Sequence, residues 1–250
     1  MNINENINKS DFELLKKYPK KRPPLNDKLK KIFDKEYKKN RSNFLSQISE
    51  RWLHYSIKGR KNTSNNTLEI GAGSLNHIPY EKYNSDKKYD VIEPKKFLYE
   101  DSPNKKYVNN FYENFTETPN NYYDRIISCA VLEHLEDLPY FLYLASSKLK
   151  ENGYHSHSVP CEGYPAWNIT WYLMSAISFK LRTGHNFKDV QKHEHLNTFD
   201  EIITLINFFY EKVEIKYSYP LFFSPYFSFY ANINFCNPIK KNIDQYKKLI

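Results

Sequence analysis

The sequence predicts an α/β fold, a parallel sheet covered on both faces by helices, and three observations carry the prediction. Short β-prone segments alternate with helix-compatible or loop segments from about residue 66 to residue 160. That alternation is the mark of strands joined by crossovers. A glycine pair, Gly71 and Gly73, directly follows the first of these segments, in a chain of 250 residues with only six glycines. The clearest helix, "DLPYFLYLASSKLKENG", lies between two β-prone segments. It has a proline in its first turn, an apolar stripe, late lysines and Gly153 in the stop position.

Residues 1–25 contain few apolar side chains, end in "KKRPPLND" and read as a mobile or loosely docked leader. From Leu29 the apolar positions Ile32, Phe33, Tyr37, Phe44, Leu45, Ile48, Trp52, Leu53 and Tyr55 recur mostly at helical spacing, which predicts one or two amphipathic helices. The strand candidates follow: "NTLEIG", "YDVIEP", "KYVNNF", "YDRIISCAVL" and "GYHSHSVP". An aromatic segment, "CEGYPAWNITWYLMSAISFKLRTGHNF", then breaks the pattern, and its length suits a lid or binding loop. "NTFDEIITLINFFYEK" resumes as a helix opened by a capping box, Thr198 with Glu201. "KVEIKYSY" and "FYANINF" close the chain as strands. The expected organisation is a basic leader and helical extension over residues 1–61, and one body over 62–250 with a lid-like insertion at about 161–192.

Charge and cysteine usage narrow the function classes. Residues 1–61 hold 17 Lys or Arg against 7 acids, and the rest of the chain holds 20 against 22. The body is thus near neutral, and the basic arm reads as a solvated face, so a nucleic-acid partner is not expected. Cys129, Cys161 and Cys236 are too few for a disulfide framework and have no zinc spacing. Neither HExxH nor a Cys–His pattern occurs, so no metal is expected. No window reaches the roughly 18 apolar residues of a membrane span, and the polar start lacks an apolar signal core. A cytoplasmic location is expected.

Glycines after a strand let backbone N–H groups approach a ligand closely. The dinucleotide fingerprint is incomplete, because Asn76 stands where its third glycine would be. Glu69 instead precedes the glycines, and the next strand candidate ends in a second acid, Glu93, placed where a carboxylate can accept ribose hydroxyls. With "LEIGAG", "IEP" and "CAVLEHLEDLP" in order at βα spacings, the chain resembles the class I S-adenosylmethionine-dependent methyltransferases.

The resemblance implies a Rossmann-like sheet of seven mostly parallel strands with the last one antiparallel, and S-adenosylmethionine as cofactor. It implies that Glu69, Gly71, Ala72 and Gly73 cradle the cofactor and that Glu93 holds its ribose. Phe111 and Tyr112 would enclose the adenine, and Cys129 and Ala130 would pass beside the cofactor. The sequence departs from the family at Leu75, often a glycine, and at the early Pro79, which together imply a short or distorted first helix.

Methyl transfer to a hydroxyl requires alignment and a base with a pKa near 7, for which histidine is the natural candidate. His134 follows the fourth strand at the crevice edge, and His193 and His195 precede the capped helix. Trp167 and Tyr172 could stack on a sugar or base, and Arg182 could pair with a phosphate or carboxylate. The expected reaction is O-methylation of a small polar acceptor: a sugar hydroxyl, or a phosphoryl or phosphoramidate oxygen on a nucleotide-linked precursor of surface polysaccharide (capsule). The alternatives are an RNA methyltransferase using the basic arm and a non-catalytic cofactor-binding subunit.

Overall fold

The apolar runs become strands buried from both sides. In β1 (Asn66–Ile70), the residues after Asn66 are all buried, and in β2 (Lys88–Ile92) only Lys88 is exposed. This is what a strand covered on both faces requires. The computed structural model describes residues 9–40, 44–59, 66–81, 88–218 and 223–250, the side chains of Lys9, residues 34–49 and Met174 excepted. The packing expected of Tyr37, Phe44, Leu45 and Ile48, and the 61/62 boundary, lie outside the described residues.

Seven strands form one sheet. After β1 and β2 come β3 (Asn110–Tyr112), β4 (Tyr123–Cys129), β5 (Leu149–Pro160), β6 (Tyr210–Tyr217) and β7 (Tyr230–Pro238). Their order is β3-β2-β1-β4-β5-β7-β6. The first five run parallel, and β7 lies antiparallel between β5 and β6. The antiparallel last strand that the family resemblance implies is present.

Nine α-helices are described. They are α1 (Lys9–Leu15), α2 (Asp27–Asn40), α3 (Phe44–Ile57), α4 (Leu138–Ser146), α5 (Pro165–Thr170), α6 (Ile177–Thr183), α7 (Lys188–Glu194), α8 (Phe199–Phe209) and α9 (Lys240–Lys247). On one face, α4, α8 and α9 pack together over Leu68, Ile70 and Ile126. On the other, α3 lies against β4, β5 and β7, and Ile57 joins Val91 and Ile127 in a second core. The capping box forms: Thr198 Oγ1 accepts the Glu201 N–H, and Glu201 Oε2 accepts the Thr198 N–H at 3.0 Å.

The structure alters two expectations and adds a contact that the sequence did not suggest. Helix α4 ends at Ser146, and Gly153 lies inside β5 instead of stopping the helix. A Cβ there would stand 2.9 Å from the Tyr123 carbonyl oxygen, where the β4–β5 register shifts. Glycine is needed at that point for strand contact. The leader is docked where it is described: Leu14 and Leu15 join the main core, Tyr18 O–H donates to Asn197 at 2.8 Å, and Lys20 pairs with Glu201 at 2.8 Å. Finally, the extension and the lid-like insertion meet, because α2 packs on α7 and Leu29, Phe179 and Val190 form a small core of their own. Two segments distant in sequence build one cap.

Candidate active site

The glycine loop leaves β1 by a sharp turn. Gly71, Gly73 and Leu75 all have positive φ, at 62°, 52° and 63°. The Gly71 N–H continues the ladder to the Ile92 carbonyl at 2.8 Å, and a Cβ on Gly71 would lie 2.7 Å from Val131. A Cβ on Gly73 would meet nothing within 4 Å. The backbone at Gly73 therefore borders open space, as a ligand-facing turn must. Ala72 is buried beneath it.

Leu75 adopts the left-handed conformation that makes glycine common at this position in the family it resembles. For a side chain this costs roughly 1–2 kcal/mol. Burying a leucine fully gives about 1.5–3 kcal/mol, and Leu75 is fully buried against Ile78, Tyr89 and Tyr99. Packing outweighs strain. Pro79 leaves only a 3₁₀ turn, Ile78–Tyr80, as the expected distortion of the first helix. Ser102 Oγ donates to the Ser74 carbonyl at 2.9 Å and Asn104 Nδ2 to the Leu75 carbonyl at 3.1 Å, which fixes the loop.

Both strand-end acids sit at this loop. Glu93, at the end of β2, accepts the Gly73 N–H at 2.8 Å on one oxygen and the Lys95 N–H at 3.0 Å on the other. Glu69 is buried on the α3 side and accepts the Tyr89 hydroxyl at 2.7 Å. Burial pushes its carboxyl up to about 8, against the lowering effect of the Tyr89 bond. Phe111 stacks on Tyr99 at 4.5 Å, and the Tyr112 carbonyl accepts the Glu93 N–H at 3.2 Å. Ala130, with φ 52°, turns the chain after β4 so that Val131 lies against Gly71. Cys129 lies on the α3 side, its Sγ 3.2 Å from His54 Nδ1. A cradle of bare backbone with a buried carboxylate at its mouth fits the ribose and methionine portions of S-adenosylmethionine.

Beyond β4, the structure brings His134 and His195 together. Their rings stand edge to face, with centroids 4.7 Å apart. His134 Nδ1 lies 2.7 Å from the Glu194 carbonyl, and His195 Nδ1 lies 2.5 Å from Glu162 Oε2. A carbonyl and a carboxylate only accept, so each Nδ1 carries the proton and each Nε2 is the second position. Beside them is Glu133, fully buried, whose Oε2 has no hydrogen-bond partner among the described residues. Burial pushes the Glu133 carboxyl up to about 7. For His195, burial works downward, but the Glu162 bond and charge, with Glu133 and Glu194, outweigh it and raise the pKa above the usual histidine value.

The cap orients this pair. Trp171 Nε1 donates to Gln191 Oε1 at 2.8 Å, and Gln191 Nε2 donates to Glu162 Oε1 at 3.1 Å. Trp167 lies beside the His195 ring, at 6.0 Å. Tyr172 is exposed on the outside of the cap, and Arg182 is exposed and hydrogen-bonds Ser178 on its own helix. His193 serves the leader: its Nδ1 bonds the Pro23 carbonyl at 2.7 Å, while Arg22 donates to the carbonyls of His193, at 2.9 Å, and His134, at 2.7 Å. Sequence reasoning missed Glu133 and Glu162, although the first adjoins His134 and the second opens the insertion. His155 and His157 are structural, buried in a chain from Tyr210 to Ser128.

A family described as a methyltransferase domain matches residues 37–202. No curated protein matches the chain. The plantazolicin methyltransferase BpumL, solved with a triazolic desmethylPZN analog and S-adenosylhomocysteine, is similar at TM-score 0.60 and 14% identity, over 92% of this chain and all of that one (100%). A S-adenosylmethionine-dependent methyltransferase from Archaeoglobus fulgidus gives 0.54 and 16% over 81% and 98%, and one from Thermotoga maritima 0.52 and 14% over 82% and 97%. At such identities these structures speak for the fold, and the family match speaks for the activity: the chain belongs to the class I S-adenosylmethionine-dependent methyltransferases.

Proposed function

We propose that the enzyme methylates an oxygen of a small polar acceptor, with His195 as general base. The observation that carries this reading is the His195–Glu162 pair beside Glu133 and His134 at the end of β4. S-adenosylmethionine, when bound, supplies a methyl group on a positively charged sulfur, already activated for in-line displacement. A hydroxyl acceptor then needs alignment and the loss of one proton. Glu162 keeps the proton of His195 on Nδ1, so Nε2 is the atom that takes the acceptor's proton. The imidazolium formed is stabilised by Glu162 and Glu133, a service that a buried carboxylate performs better than water. Gln191 and Trp171 keep Glu162 in place.

The acceptor we favour is a sugar hydroxyl, or a phosphoryl or phosphoramidate oxygen, of a nucleotide-linked precursor of surface polysaccharide, modified in the cytoplasm. Two features support a small acceptor over RNA. The cap packs beside His195 and Glu162, and two cations of the basic arm are already engaged: Lys20 with Glu201 and the Leu196 carbonyl, and Arg22 with Glu136 and three carbonyls. Trp167 is the aromatic side chain beside the base. The test is methyl transfer from labelled cofactor to a panel of nucleotide-linked sugars, with RNA as a second arm. Labelling of the sugars that is lost in His195→Ala supports the reading, and labelling of RNA alone removes it.

A further inference from the structure

On the opposite side of the sheet from α4 and α8, a second group of histidines has no part in the proposed reaction. His54 comes from α3, His77 from the loop after the glycine turn and Cys129 from the end of β4. His54 Nδ1 lies 3.3 Å from His77 Nδ1 and 3.2 Å from Cys129 Sγ, and one ligand atom from each of the three residues lies within 4.8 Å of the others. We propose that these atoms bind one divalent transition-metal ion of the zinc class, tying the N-terminal extension to the cofactor loop and leaving a fourth position open.

The separation of the two nitrogens fits the ion. Imidazole nitrogens at about 2.0–2.1 Å from a tetrahedral zinc are roughly 3.3–3.4 Å apart, and two nitrogens with one thiolate suit zinc or cobalt. The outer nitrogens face carboxylates. His77 Nε2 is hydrogen-bonded to Glu81 Oε1 at 2.7 Å, the arrangement that turns an imidazole lone pair toward a metal, and Glu50 Oε1 stands 3.8 Å from His54 Nε2, close enough for charge attraction. Glu81 also pairs with the buried Arg125 and is held ionised by it, so His77 carries its proton on Nε2 and points a bare Nδ1 inward. His54 and His77 are buried while Cys129 is partly exposed, which gives a path of entry.

Glu133, His134 and His195 also bring ligand atoms within 4.8 Å of one another, so the experiment must separate the two groups. The full chain, stripped with chelator, is titrated with Co²⁺. The expected result is one ion per chain with tetrahedral visible bands and a thiolate-to-cobalt charge-transfer band, displaced by Zn²⁺. Cys129→Ser should abolish the charge-transfer band, and Glu50→Gln should weaken binding by roughly 2- to 5-fold, while His195→Asn changes neither. Circular dichroism checks that each variant folds, and Glu50→Gln, outside the ligand set, keeps the test open if Cys129→Ser does not. Absence of Co²⁺ binding, a spectrum without thiolate character, or loss of binding in His195→Asn would each overturn the assignment.

Discussion

Two clusters flank the end of β4, and both contain histidine pairs with carboxylates. In the inner one, His54 and His77 are buried and stacked, with centroids 5.4 Å apart, under the N-terminal extension. In the outer one, His134 and His195 keep 31% and 17% of their side-chain surface exposed beneath the cap. The same residue types thus serve different ends. Where imidazoles are sealed and their outer nitrogens tethered, they hold parts together. Where the ring keeps some exposure and Glu162 raises its pKa, the geometry suits the proposed proton transfer.

This contrast is open to substitution. The largest effect is expected at the outer cluster: His195→Ala should reduce turnover by about 10²- to 10⁴-fold, with S-adenosylhomocysteine affinity unchanged by calorimetry. Normal turnover would move the base to His134 or remove it. His77→Ala should act on the fold instead, destabilising it by about 1–3 kcal/mol in denaturant titration, because Glu81 loses a buried hydrogen bond while keeping its pair with Arg125. A variant with full stability and no activity would reverse the roles of the two clusters.

The pH dependence sharpens the same distinction. His195 accepts a proton only when neutral and its pKa is raised, so kcat/KM should fall as pH drops through an apparent pKa above about 6.5. Glu162→Gln should move that midpoint down. A third pair, sealed inside β5, has the opposite sign: burial drives His155 well below its ordinary value and His157 down to about 3. The unfolded chain takes up protons that the folded one refuses, so stability should decline as pH falls from about 6.5 toward about 3. Flat stability over that window would contradict it. The smallest effect is expected from Trp171→Phe, which removes one bond to Gln191 and should cost about 1 kcal/mol of transition-state stabilisation, read as a modest fall in kcat/KM.

Much of this was legible in the sequence because local signals and chemistry coincide there. The glycine pair, the strand-end acids Glu69 and Glu93, the capping box at Thr198 and the alternation of elements all act over a few residues. The disruption at Leu75 and Pro79 was visible, but its form was not: only packing reveals that burial of Leu75 compensates for its left-handed backbone. Gly153 was misread because a glycine after lysines ends helices more often than it makes room for a neighbouring strand. What the sequence concealed is long-range. Glu162 reaches His195 across 33 positions, Arg22 reaches His134 across 112, and the cap joins residues near Leu29 to others near Val190. No periodicity records such meetings.

The central claim is that the turn at Gly73 and the carboxylate of Glu93 hold the cofactor, and calorimetry with S-adenosylhomocysteine tests it most directly. The wild-type chain should bind, Gly73→Val should abolish binding by filling the space its backbone borders, and Glu93→Ala should lose about 1–3 kcal/mol, roughly 5- to 150-fold in Kd. Unchanged affinity in both variants, with circular dichroism confirming that each is folded, would place the cofactor elsewhere and contradict the account.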